Sequence, residues 1–399
     1  MCHVHKLVYT ISQHDPCIGI GHSEILDKKL GTILKQCKNE IHEKSRVWDT
    51  FKKQTNSFEL VFTTSAEFPS IAGVSPVSRS YFKHWEVLHD FEAELGMLWR
   101  REGGLTCAFM AEGPGGFIEA FVKWRGAGIG VGAGVGRGDA LYGITLLSAD
   151  RNVPTWRFSR AFLSENNISL LSGRDGTGSL YNLDNIRDYV DTIGANRCQY
   201  VTADGGFDFS GNFDDQEADG FWLILCEIYA ALLLQAPHGA FLCKIYDTNL
   251  EKTRQLLFIL FKCYDSVTMI KPHTSRPANS EKYVLCRGFC GKEAAGAFLL
   301  VLSAAIESGV WSGQGVDISN EFVESLCMYN VFFTMKQIIN INLTISHIEM
   351  EGAAAGGEDE NVKKKENIRA QAENALRWCF KYKVPVNTKS LQLLNLEKK

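Results

Sequence analysis

The sequence predicts an α/β fold, a mostly parallel sheet with helices on both faces, preceded by an N-terminal extension and followed by a helical appendage. Three observations lead there. Short apolar runs alternate with helix-period segments from Leu105 to Phe289. A glycine-rich turn, Ala111-Glu112-Gly113-Pro114-Gly115-Gly116-Phe117, joins the first apolar run to the helical segment after it. Beyond Gly291 the alternation stops and only helical patterns follow.

Taken in order, residues 1–75 lack sustained periodicity and form the extension. Their Cys2, His3, His5, His14, Cys17 and His22 match no standard zinc spacing, so no metal is expected. Lys28 to Lys53 is mildly basic and helical in character, read as a solvated face. Pro76 to Arg101 reads as one helix with Ser78 as its N-cap and an apolar stripe of Phe82, Trp85, Leu88, Leu95 and Leu98. Leu105 to Met110 is a buried strand, and Phe117 to Arg125 a helix with Phe117, Ala120, Phe121 and Trp124 on one face. Gly126 to Gly138 carries glycine at every second position; it follows a helix rather than opening one and reads as a flexible insertion.

Strands are then expected at 140–146, 168–172, 199–204, 240–246, 266–271 and 283–289, with helices at 182–193, 216–234 and 250–263. In such sheets the ligand lies beyond the carboxyl ends of the strands, where the strand order reverses. Three domains result: 1–75, 76–290 and 291–399. The last contains helices at 294–306, 321–341 and 363–383, with an Ala-, Gly- and acid-rich linker near 351–360.

Composition narrows the class. The chain has 399 residues, 45% hydrophobic and 22% charged, with net charge −4, so any contact with RNA must come from local patches. Twelve cysteines without paired short spacings, and no secretory signal, fit reduced thiols in the nucleus or cytoplasm. No apolar run reaches the roughly 18 residues of a membrane span; Phe221 to Ala236 is the longest, and Glu227 and Gln235 interrupt it.

The chemistry-bearing residues sit at strand ends. Asp204 closes Tyr200-Val201-Thr202-Ala203, and Lys244 lies inside the apolar strand Phe241 to Tyr246. A lysine there is costly to bury unless paired, and Asp204 on the neighbouring strand is the obvious partner. Glu281 opens the last strand after Ser275-Arg276-Pro277-Ala278-Asn279-Ser280. A structural ion pair with an unrelated acid nearby accounts for this pattern equally well.

Lys83, Asp204, Lys244 and Glu281 together resemble the Lys-Asp-Lys-Glu tetrad of FtsJ-like RNA ribose 2′-O-methyltransferases. The match is closer to the cap-specific mRNA (nucleoside-2′-O-)-methyltransferases of eukaryotes and large viruses. It is carried, in the family's order, by Ser78 to Glu86, Glu112 to Phe117, Ala203 to Phe207, Phe241 to Lys244 and Thr274 to Tyr283. The resemblance implies a Rossmann-like class I fold and S-adenosylmethionine as cofactor, with S-adenosylhomocysteine as product and no metal required. It implies cofactor contacts from Ala111, Glu112, Gly113, Pro114, Gly115, Gly116 and Phe117, from Asp175 on the adenine side, and from Asp204.

In this reading Lys244 is the base, Asp204 orients it, and Lys83 with Glu281 forms a second pair. Arg276 and Asn279, with Lys271 and Lys282, would meet RNA phosphate or ribose. One departure stands out: Phe109 occupies the position of the family's usual acid, and Glu112 stands where a small residue is usual. Either Glu112 takes over near the methionine end, or that end is held differently. The substrate implied is capped mRNA, with capping or transcription-machinery proteins as partners through the terminal extensions and no membrane. The location would be the nucleus for a cellular protein and the cytoplasm for a viral one. The rivals are methylation of ribosomal or transfer RNA and a catalytically idle RNA-binding scaffold.

Overall fold

In the computed structural model, which describes residues 7–12, 22–64, 70–99, 104–126, 138–207, 215–353 and 358–393, the sheet is built by strands from the whole first three quarters of the chain. The order is β1 (Leu7–Ser12), α1 (His22–Glu43), α2 (Ser45–Gln54), α3 (Ser80–Asp90), α4 (Glu92–Trp99), β2 (Thr106–Met110) and α5 (Gly116–Gly126). Next come β3 (Ala140–Ile144), α6 (Arg160–Glu165), β4 (Ile168–Leu171), α7 (Leu183–Ile193), β5 (Cys198–Ala203), α8 (Gln216–Leu234), β6 (Gln235–Ile245) and α9 (Glu251–Cys263). Then follow β7 (Tyr264–Lys271), β8 (Lys282–Phe289), α10 (Lys292–Ser308), α11 (Asn320–Ala353), α12 (Glu358–Lys381) and α13 (Thr388–Leu393).

The eight strands lie in the order β1-β7-β8-β6-β5-β2-β3-β4. The half from β6 to β4 is parallel, whereas β8 is antiparallel to both β6 and β7, and β1 is antiparallel to β7. The order reverses at β2, between β5 and β3, which marks the ligand end of the sheet. Strand alternation supplies two cores. Ala108 and Met110 join one with Phe241 and Cys243; Cys107 and Phe109 join the other with Ala240 and Leu242. Residues of α7, α8, α9 and α10 cover the first face, and residues of α3, α5 and α12 the second.

Several expectations change. Residues 1–75 are not merely an appendage, because β1 extends the sheet and α1 lies along α11. The single helix expected at 76–101 is two, separated at Phe91. Ser78 does not cap α3, whose N-cap is Arg79 without a side-chain cap bond. The expected linker near 351–360 is helical at both ends, since α11 runs to Ala353 and α12 starts at Glu358. Residues 127–137 of the glycine-rich insertion, and Cys2, His3, His5, His14 and Cys17, lie outside the described residues. Among the described residues no helix is long and apolar enough to cross a membrane, and no group of three or more His, Cys, Asp or Glu could hold a metal.

The second half of α12 and the residues after it belong to the second core. Ala372, Ala375, Trp378, Cys379 and Tyr382 pack with Phe82, Trp85 and Leu88 of α3. Gly73 N donates to Pro385 O (2.7 Å), Asn387 N to Ile71 O (2.8 Å) and the Trp85 indole to Tyr382 O (2.9 Å). Gln371 Nε2 donates to the carbonyls of Lys53, Gln54 and Asn56. These bonds occupy main-chain groups that no helix or sheet ladder would satisfy.

Candidate active site

The carboxyl ends of β2, β3, β5 and β6 open into a cleft of ≈ 790 Å³. Asp204 follows the end of β5, and Lys244 sits one residue before the end of β6. Because β8 runs antiparallel to β6, Glu281 at its start arrives at the same end, with Tyr283 in register opposite Lys244. Helix α3 is held across α5 and brings in Lys83: His84 Nδ1 meets Phe117 O at 2.9 Å, and its ring stacks on Phe117 at 4.4 Å. All four charged residues line the cleft.

They form two ion pairs. Lys83 Nζ lies 2.7 Å from Glu281 Oε1 and 2.8 Å from Oε2, and Ser275 Oγ donates to the same carboxylate at 2.8 Å. Lys244 Nζ lies 3.3 Å from Asp204 Oδ1 and donates to Asp204 O at 2.8 Å. The Tyr283 hydroxyl completes this second pair by donating to Asp204 Oδ1 at 2.8 Å.

The two lysines sit in different fields. Burial disfavours the Lys244 ammonium, but Asp204, Tyr246 and Glu281 outweigh it and raise its pKa above the ordinary value. For Lys83 burial wins: with Arg79 and Lys244 nearby, its pKa falls despite Glu281 and Asp204. Glu281, although buried, is held far below the usual carboxylate range by Lys83, Lys244 and Lys271. A base at Lys244 therefore starts as the ammonium, and its neutral form is scarce near pH 7.

The glycine-rich turn contributes Ala111, Gly113 and Pro114 to the cleft lining. Gly115, Gly116 and Phe117, expected as ligand contacts, are turned to the protein itself. A Cβ on Gly116 would stand 2.2 Å from the Ser78 and Ser80 hydroxyls, and one on Gly115 would meet the Phe158 ring at 2.2 Å. The turn is glycine-rich because the entry to α3 and the Pro154–Phe158 segment press against it. Phe117 is buried under His84.

Glu112 is also buried. Its Oε1 accepts from Thr202 Oγ1, while Oε2 has no hydrogen-bond partner. Burial first, and then the fields of Asp204 and Glu227, push its pKa well above the usual range. Glu227, beneath Gly205, is likewise raised by burial, to about 8.

Asp175 is not among the residues lining the cleft. Its Oδ1 accepts from Thr177 N and Oγ1 and from Asn185 Nδ2, and its Oδ2 from Asn182 Nδ2, at 2.7–2.8 Å. That carboxylate organises the turn before α7; the cleft wall is formed instead by Gly178, Ser179, Leu180 and Tyr181.

The RNA candidates are engaged inside the protein. The Arg276 guanidinium holds buried Glu59 through two bonds, Nε to Oε2 at 2.9 Å and NH2 to Oε1 at 2.7 Å. Asn279 lines the cleft but accepts from Lys271 Nζ through its side chain and, at 2.8 Å, its carbonyl. Lys271 also holds Glu281 O at 2.6 Å, and Lys282 shares Asp247 with Lys38. A positive charge in sequence does not show its partner, and Glu59 lies 217 positions from Arg276.

Sequence reasoning missed the Ser78-Arg79-Ser80 entry to α3 and the Thr145 to Pro154 wall beyond β3. The second was open to inference, since β3 is parallel and adjacent to the switch strand.

The profile of the family described as FtsJ-like methyltransferase matches residues 76–289. Among curated relatives, cap-specific mRNA (nucleoside-2′-O-)-methyltransferase 1 of Danio rerio is 31% identical over 246 residues, covering 57% of this chain and 28% of the relative. The namesake from Trypanosoma cruzi (strain CL Brener) is 32% identical over 198 residues, 48% of this chain and 50% of the relative. That of Homo sapiens is 32% identical over 209 residues, 51% of this chain and 22% of the relative. The chain thus spans half or less of the length of these relatives. With more than half of its residues inside the profile, and its sheet ending in the cleft described, the chain belongs to the FtsJ-like methyltransferase family.

Proposed function

We propose that this chain transfers a methyl group from S-adenosylmethionine to the ribose 2′-oxygen of a cap-proximal mRNA nucleotide, releasing S-adenosylhomocysteine. One observation carries the reading: Lys83, Asp204, Lys244 and Glu281, distant in sequence, converge in a single cleft beside the Ala111–Pro114 turn. The names of the relatives support the capped substrate.

The residues present fit that cofactor. Leu146, Tyr181 and Phe207 leave large apolar surfaces exposed along the cleft, suited to a purine face. The Glu112 carboxyl, buried between Ala111 and Gly113 of the cleft lining, keeps one oxygen without a hydrogen-bond partner. The bound cofactor supplies a methyl group already activated on a sulfonium.

The chain's own task is to orient a ribose hydroxyl, remove its proton and keep water out. Asp204 fixes the Lys244 Nζ through two contacts, so that Lys244 faces the cleft as proton acceptor once it has lost its own proton. Lys83, clamped by Glu281, holds a second positive charge nearby that favours the ionised oxygen. Arg79 lines the cleft and offers a guanidinium to RNA phosphate, while Arg276 anchors the loop before β8. Capping or transcription-machinery proteins as partners, and a nuclear or cytoplasmic location, belong to the same proposal.

Capped and uncapped transcripts of identical sequence, with methyl-labelled cofactor, test it. Label on the ribose 2′-oxygen of the capped transcript alone is expected; equal labelling of both would point to another RNA class. No labelling of either, in folded protein that binds the cofactor, would end the enzymatic reading.

A further inference from the structure

Helix α11 is 34 residues long, and one side of it is buried against α1 and the body. Its opposite side exposes Met328, Phe332, Met335, Ile339, Leu343 and Met350, each 45–60% accessible. At 3.6 residues per turn these six fall within an arc of about 80° and run for about 33 Å. Residues 328–350 contain only two full charges, Lys336 and Glu349, and Glu349 Oε1 is already met by Lys44 Nζ at 3.2 Å. An apolar stripe of this length on an exposed helix marks an interaction surface.

The order of the stripe points to its occupant. A twofold axis at Ile339, perpendicular to the helix, sets Met328 against Met350, Met335 against Leu343, and Ile339 against itself. The same operation sets Phe332 against exposed Ser346, a large side chain over a small one. A symmetric pair requires such self-matching of one patch, whereas a foreign partner does not. A parallel self-pair would set Phe332 on Phe332 and Ser346 on Ser346, crowding one level and emptying the other. Half-exposed side chains of this size leave about 100 Å² each, so a pair would bury on the order of 1,200 Å², the lower limit for a specific interface.

We infer that two copies of this chain pair through α11, antiparallel, about an axis at Ile339. The pairing is independent of the enzymatic reading, because none of these residues lines the cleft.

The test uses the full chain. Sedimentation at micromolar concentrations should show a species of two chains, converted to a single chain by Ile339→Asp, with the far-ultraviolet circular dichroism unchanged. Cysteine placement then reads the geometry, with the parent as the background for exposed Cys290. Ile339→Cys should cross-link to itself on mild oxidation. Met328→Cys and Met350→Cys should each fail alone and cross-link when mixed. A single-chain species throughout, self-cross-linking of Met328→Cys, or no gain over the parent at position 339 would each overturn the proposal.

Discussion

The bond between Arg276 and Glu59 can be tested as a structural clamp. Glu59 is 2% exposed, accepts both Arg276 bonds, and is further held by Asn56 Nδ2 (2.8 Å) and Thr63 Oγ1 (2.6 Å). Burial acts to raise its pKa, but Arg276, Thr63 and Asn56 overcome it and lower the value. Removing one member of a buried pair costs about 3–5 kcal/mol, because the other charge stays behind. With an unfolding entropy of about 2 cal/mol/K per residue, a chain of 399 residues loses about 4–6 °C of melting temperature. Glu59→Gln and Arg276→Gln should each show that loss by scanning fluorimetry.

The double variant should lose much less than the sum, with a coupling of at least about 2 kcal/mol. The sign with pH follows from the lowered carboxylate. The clamp contributes fully above the unfolded Glu value of about 4.3 and fades as pH falls through the lower folded value. Additive losses, or single variants melting within about 1 °C of the parent, would refute the clamp and return Arg276 to the RNA.

Four further outcomes follow from the site. Lys244→Ala should lower methyl transfer at least about 100-fold while cofactor affinity changes little. In the parent, the single-turnover rate should climb about tenfold per pH unit from pH 6 to 9, because Lys244 starts protonated; a plateau near pH 7 would remove it as base. Glu227→Gln should raise the melting temperature more at pH 8.5 than at pH 5. The folded chain retains a Glu227 proton up to about pH 8 that the unfolded chain loses near 4.3, so parent stability falls across that window; equal gains at both pH values would contradict this. Gly178→Ala should lose cofactor binding by titration calorimetry, since φ is +67° and a Cβ would stand 2.0 Å from Thr145 O in the cleft wall; unchanged affinity would show that the wall yields.

The parallel half of the sheet was legible because strands buried on both faces read as continuous apolar runs, as in Phe241-Leu242-Cys243. The Lys244–Asp204 pair was legible because a lysine inside such a run demands a partner; Lys83 and Glu281 were joined to it only by the family resemblance. β1 was not, because a short edge strand is defined by the neighbour it pairs with, here β7. The break at Phe91 was hidden because an apolar residue sits there and joins the core, leaving the periodicity nearly intact. Arg276, Lys271 and Lys282 looked like a basic patch because their counter-charges and acceptors come from other segments of the chain. Asp175 was misplaced because an acid in a Gly-Arg-Asp-Gly turn looks the same whether it faces a ligand or closes the turn.

The stitching of residues 371–387 onto Ile71, Gly73 and α3 bears on how the protein comes into being on the ribosome. The helix that carries Lys83 emerges well before Trp378 and Tyr382, and its outer side stays bare until both have been translated. All four members of the tetrad can meet before then, because α5 and Glu281 already hold Lys83. What residues 371–387 add is cover for the outer side of α3, so a nascent chain stalled before them would hold the sheet and cleft with Trp85 and Phe82 bare.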